Sequence, residues 1–192
     1  MNPHQIPHFF GLFFLITPIF AAPAIYKIPN FYPVTGISED EVRQQLNNSG
    51  PIINNQHFDA QTLWHINWDY TWHYDNPSQN PCYVTNTNVT VTITLLLPNW
   101  INQSSVPINL QNKWDNYLIA LQNHEKQHEN NAINAAKDIE SVLLNSPKMS
   151  SCELLKEKIN LATKEILNKH HLWDTQYDIT TNHGKNEGAS FP

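Results

Sequence analysis

The stretch Trp114-Asp115-Asn116-Tyr117-Leu118-Ile119-Ala120-Leu121-Gln122-Asn123-His124-Glu125-Lys126-Gln127-His128 decides how this chain is read. Trp114, Tyr117, Leu118 and Leu121 recur at three- and four-residue spacing, and Ala132, Ala135, Ala136, Ile139 and Leu143 prolong the stripe. This period predicts an amphipathic helix of about 35 residues, opening near Asn109 and closed by Pro147. His124, Glu125 and His128 continue the apolar stripe, so they are expected inside the fold. Isolated ionisable groups resist desolvation, and three of them on a core face imply a shared purpose.

Their spacing names that purpose. Two histidines four apart project from one helix face, a turn apart, and both imidazoles can reach one metal ion. A glutamate beside the first can reach a water on that metal without ligating it. Zinc lowers the pKa of such a water to about 7, and the glutamate takes its proton as it attacks a carbonyl. The assignment is zinc, with His124 and His128 as ligands and Glu125 as general base.

A catalytic zinc takes a third protein ligand and leaves a fourth position open. One zinc-protease pattern adds Gly and His three and six residues after the second histidine; Asn131 and Asn134 stand there and exclude it. Glu153 or Glu157 could serve from a following helix. The preferred candidate is His183, in a tail from Trp173 onward that shows no periodicity, with Gly184 relaxing the backbone beside it. Tyr177 is a candidate oxyanion donor. His170 and His171 are read as solvated charges at a helix end.

Before the long helix, Trp64, Ile66, Trp68, Tyr70, Trp72 and Tyr74 alternate with polar residues. Strict alternation predicts a strand whose aromatic row is half of a core; a carbohydrate platform is the rarer alternative. His65 and His73 fall on its polar face. A second strand is expected from Thr87 to Leu97, ended by Pro98 and paired antiparallel with the first across the Asp75–Pro81 turn region. Tyr26 to Thr35, with Pro29 and Pro33, reads as an extended edge segment. Ser38 with Glu41 has the spacing of a capping box that opens a short helix to about Asn48; Ser150 with Glu153 opens another, ending near Asn168.

Phe9 to Phe20 is almost wholly apolar and precedes Ala22-Pro23-Ala24, the pattern of a secretory signal over residues 1–24, although the leader holds no Lys or Arg. Residues 25–192 then form a single domain of about 168 residues, enough for a real core. In an exported chain the two cysteines, Cys82 and Cys152, are expected to form a disulfide. Only 15% of residues are charged and the net charge is −6, so no basic face for nucleic acid is expected. No other segment is apolar enough to insert in a membrane.

The chain resembles a bacterial family described as predicted secreted zinc-dependent proteases, domain-of-unknown-function family nine-two-two. The resemblance runs in order through Tyr32-x-Val34-x-Gly36, the Trp-rich strand from Trp64, Leu97-Pro98-x-Trp100 and His124-Glu125-x-x-His128. It closes on Tyr177-Asp178-x-x-Thr181-x-His183-Gly184 with Gly188-Ala189. It implies a zincin-like fold and proteolysis, with His124 and His128 as ligands, Glu125 as base and His183 as third ligand. The expectation is therefore an α+β domain, a small mainly antiparallel sheet packed on the long helix. It would be a periplasmic or secreted zinc metallopeptidase acting on a protein or peptide substrate. A zinc amidase acting on cell wall or another polymer, and a metal-binding module without turnover, are the alternatives.

Overall fold

A computed structural model describes residues 22–74 and 81–192. The expected signal at 1–24 therefore lies almost wholly outside the described residues, as does most of the Asp75–Pro81 turn region. Chain order is β1 (Ala24–Val34), α1 (Glu39–Ser49), a two-stranded hairpin of β2 (Ile52–Ile53) and β3 (Gln56–His57), β4 (Gln61–His73), β5 (Tyr83–Trp100), α2 (Ile108–Leu144) and α3 (Cys152–Thr181). Short 3₁₀ turns occupy Gln103–Ser105 and Lys185–Glu187.

The class is α+β, with a small mixed sheet. Strand order is β1-β5-β4: β4 and β5 are antiparallel as expected, but β1 runs parallel to β5. Consecutive strands β4 and β5 obey the hairpin rule, whereas α1 and the small hairpin separate β1 from its partner and free its direction. β1 is an edge strand, which accommodates Pro29 and Pro33. β5 does not stop at Pro98 but continues to Trp100. β4 begins at Gln61, opposite Leu96, so beyond that point β5 has no neighbour on that side and a missing N–H costs no ladder bond. The aromatic row of β4 is core near Ile66 and Trp64, but Trp72 and Tyr74 reach the surface past a register shift at Thr71/Trp72.

α1 is capped by Ser38, whose hydroxyl accepts from the Glu41 N–H, while the Glu41 carboxylate accepts from the Ile37 N–H at 2.7 Å. α2 is the spine. Its first half packs Leu110, Trp114, Tyr117 and Leu121 against Val34, Val42, Leu46, Trp100 and Phe191. Its second half packs Ala132, Ala135, Ala136, Ile139 and Leu143 against Val89, Val91 and Ile93 of β5 and Leu155 and Ile159 of α3. Each large aliphatic fully buried in this way contributes about 1.5–3 kcal/mol. Between the two apolar clusters α2 buries His124, Glu125, His128, Glu129 and Asn131 instead. The polar seam of the core is where the motif falls.

α3 departs most from expectation. Ser151, not Ser150, caps it, accepting from the Leu154 N–H at 3.2 Å. It runs on to Thr181, so Trp173–Thr181 is helix and not an aperiodic tail. His170 and His171 are consequently mid-helix: His170 is buried, and His171 stacks on Trp64 with ring centroids 4.3 Å apart. The disulfide Cys82–Cys152 forms, fastening the first turn of α3 to the start of β5. Cys82 also exchanges both backbone hydrogen bonds with Met149.

Candidate metal centre

α2 presents His124 and His128 from one face, and α3 crosses that face with Asp174 and Asp178. The Nε2 atoms of His124 and His128 lie 3.2 and 3.1 Å from the same oxygen, Oδ1 of Asp178. His124, His128 and Asp178 each offer a ligand atom, all within 4.8 Å of one another. The remaining nitrogens are held too. His128 Nδ1 lies 2.8 Å from Asp174 Oδ1, and His124 Nδ1 lies 3.1 Å from Glu187 Oε2. Carboxylates on the far nitrogen fix the tautomer and orientation of a ligating imidazole.

Glu125 lies one position along α2. It is buried, and Oε2 accepts from the Thr62 hydroxyl of β4 at 2.6 Å. Burial raises its pKa above the ordinary carboxylate range, only partly offset by that hydrogen bond and by the histidines. Burial works against a charged His128, but hydrogen bonds to Asp174 and Asp178 outweigh it and push its pKa up to about 10. His124 is raised on the same balance by Asp178 and Glu187. Asp178 would be raised by burial, yet bonds from His124 and His128 hold it well below the usual range. Two protonated imidazoles would offset part of the charge of Asp174, Asp178 and Glu187. One divalent ion between neutral imidazoles carries the same charge, so the donor set fits such an ion electrostatically as well as geometrically.

All of this opens into a cleft of about 790 Å³. Thr62, Glu125, His124 and His128 line it, together with Phe58 and His183, whose ring centroids lie 4.3 Å apart. His183 sits on the rim, its side chain 42% exposed and Nδ1 3.5 Å from Asp178 Oδ1. It is beside the ligand group and not within it. Tyr177 stacks on His124 with centroids 4.9 Å apart, and its hydroxyl donates to both carboxylate oxygens of Glu187. Glu153 and Glu157, on the exposed first turns of α3, are not part of the group.

The turn after α3 makes Glu187 available. Asn182, His183 and Gly184 all take positive φ (51°, 51° and 77°), and the His183 N–H returns to the Asp178 carbonyl at 2.8 Å. The reversed chain then lies on α2. A methyl group on Gly184 would fall 2.9 Å from Cγ of His124, so the glycine permits an approach no other residue allows.

Sequence reasoning thus brought together His124, Glu125 and His128, with Tyr177 and His183 close by, but missed Asp174, Asp178 and Glu187. A signal for two of these existed: His170, Asp174 and Asp178 stand four apart, the spacing of one helix face.

Residues 29–184 match the model of a family described as "Bacterial protein of unknown function (DUF922)". The chain belongs to this family. The match runs from Pro29 in β1 to Gly184, so the family segment contains the whole constellation except Glu187. No curated protein and no solved structure matches the chain.

Proposed function

We propose that this protein is an exported zinc-dependent hydrolase of amide bonds, and that its substrate is a protein or peptide. The observation that carries the reading is the convergence of the His124 and His128 Nε2 atoms on one oxygen of Asp178, beside a buried glutamate, in an open cleft. Two imidazoles and a carboxylate form a donor set suited to zinc, and a site with three protein ligands leaves room for substrate. Asp178 is preferred to His183 as third ligand, because its oxygen lies between the two imidazoles while His183 stays on the rim. The zincin-like reading rests on the motif-bearing helix lying against the sheet, with the third ligand on the helix that follows.

When bound, zinc acidifies water to a pKa of about 7 and polarises a carbonyl. Everything else falls to the chain. Asp174 and Glu187 hold the two imidazoles with Nε2 toward the ion. Glu125, its pKa raised by burial above the ordinary carboxylate value, accepts the proton of the attacking water and delivers it to the leaving nitrogen. Thr62 aims the Glu125 carboxylate. Tyr177 acts best as a support for His124 and Glu187, because its hydroxyl is committed to Glu187 and would have to leave it to serve an oxyanion. The disulfide supports export, since such bonds persist in oxidising compartments. Among the described residues no helix is long and apolar enough to cross a membrane.

The test is hydrolysis of a panel of unfolded proteins and peptidoglycan fragments by the zinc-loaded chain and its Glu125→Gln variant. The variant is expected to keep zinc and lose activity about 10²–10⁴-fold. Activity that survives the change removes Glu125 as base. Cleavage of the peptidoglycan fragments alone shifts the substrate from proteins to the cell wall.

A further inference from the structure

The α2–α3 contact holds a third buried imidazole, one that the proposed chemistry does not use. His170 is 6% exposed, and both its ring nitrogens are engaged: Nδ1 lies 2.6 Å from Asn131 Oδ1 and Nε2 lies 3.0 Å from Asp138 Oδ2. Asn131 places its N–H groups on the His170 carbonyl at 2.9 Å and on Asp174 Oδ1 at 3.0 Å. With both donors so used, its carboxamide oxygen is left to accept from the His170 ring. Asp174 is the carboxylate behind His128, and the Trp64 indole N–H fixes its other oxygen at 2.8 Å. An unbroken run of hydrogen bonds therefore leads from Asp138 at the surface, through His170, Asn131 and Asp174, to a metal-facing histidine.

We propose that His170 is a positioning residue for the metal centre: it fixes the Asn131 carboxamide, and through it the Asp174 carboxylate that aims His128 at a divalent cation. The inference rests on the reading of His124, His128 and Asp178 as a metal site. Two features favour this role over simple packing. A buried polar run in which every member has a partner rigidifies its surroundings and fixes one arrangement of its side chains. Here each has a partner; among the described residues the one buried side-chain atom without a partner is Asn102 Oδ1, which lies elsewhere. Moreover His170, Asp174 and Asp178 share a face of α3. A helix advances about 100° per residue, so a slip of one position takes both carboxylates out of the site together.

The test titrates Co²⁺, which reports its coordination by visible absorption, into the metal-free full chain. Four proteins are compared: wild type, His170→Ala, Asp138→Asn and Thr163→Val. Thr163 is equally buried in α3 but bonds only to its own helix backbone, at the carbonyls of Ile159 and Asn160. His170→Ala is expected to weaken Co²⁺ binding about tenfold, the low end for supporting partners of ligands, and to shift the absorption bands. Asp138→Asn should act in the same direction at about two- to threefold, a smaller share of the same outer-partner effect. Thr163→Val is expected to lower the melting temperature and leave affinity and spectrum unchanged. Wild-type affinity and spectrum in His170→Ala, or an equal loss in Thr163→Val, overturns the proposal. If His170→Ala does not fold, an unaltered Asp138→Asn overturns it. Failure of the wild type to bind Co²⁺ defeats the metal-site reading and this inference with it, whereas tight wild-type binding with indifferent variants defeats the positioning role alone.

Discussion

α2 and the second half of α3 face each other across the same site, yet one announces itself in sequence and the other does not. α2 enters and leaves the site through apolar residues, with Leu121 on one side and Ala132 and Ala135 on the other, so its period is continuous and the polar motif stands out against it. α3 buries Leu155 and Ile159 early and packs Ile166 and Leu167 partly against the same cluster, but beyond them the residues that face the site are His170, Asp174 and Asp178. A helix whose inner face meets a polar site carries no apolar stripe to set that face apart from the solvated one. It is held instead by hydrogen bonds to the helix opposite. The lesson is general: a ligand supplied by a second helix hides because the site it completes erases the pattern that would reveal the helix.

The two ends of α3 are held by different means, and the largest expected effect tests the covalent one. Cys82–Cys152 closes a loop of 70 residues in sequence separation. On the chain-entropy account, removing it in a Cys82→Ala, Cys152→Ala protein lowers stability by about 4 kcal/mol, read by urea unfolding. A loss near zero would mean that the polar end alone fixes α3 against α2.

The next effect falls on Asp178, the third ligand we propose for the metal. Asp178→Ala is expected to lower zinc affinity by more than about 100-fold, beyond the range seen for outer partners of ligands, while His183→Ala changes it little. Competition titration against a chelator measures both. If the two variants exchange behaviour, the third ligand comes from the turn and not from the helix.

The smallest effect sharpens the comparison at the turn where α3 folds back on α2. Gly184→Ala puts a methyl group against the His124 ring on a backbone at φ 77°, and left-handed strain of this kind costs about 1–3 kcal/mol. A fall in melting temperature together with weaker zinc binding is expected. Lower stability with unchanged zinc affinity would mean that the ring stays put and the turn gives way.

Much of the fold was legible because its pieces bury apolar side chains on one face. The long helix, the β4–β5 pair, the Ser38 cap and the cysteine pairing all follow from that period or from simple chemistry. The direction of β1 was not legible, because parallel pairing with β5 depends on the path of α1 and the small hairpin and not on β1 itself. Pro98 misled for a related reason: whether a proline ends a strand depends on the neighbour it would have bonded. At the site, His124, Glu125 and His128 were readable from spacing alone. Asp178 falls in a stretch whose sequence reads as a loop, so its four-residue step from Asp174 carried no weight until the helix was seen. Glu187 had no local signal, since only the turn at Asn182–Gly184 brings it to His124.

The most direct measurement is the metal content of the purified chain, wild type beside His128→Ala, after dialysis against buffer containing trace zinc. One zinc per wild-type chain, absent from a folded His128→Ala variant, is the result predicted for imidazoles that share an ion with Asp178. No zinc in the wild type, or equal zinc in both proteins, would contradict it.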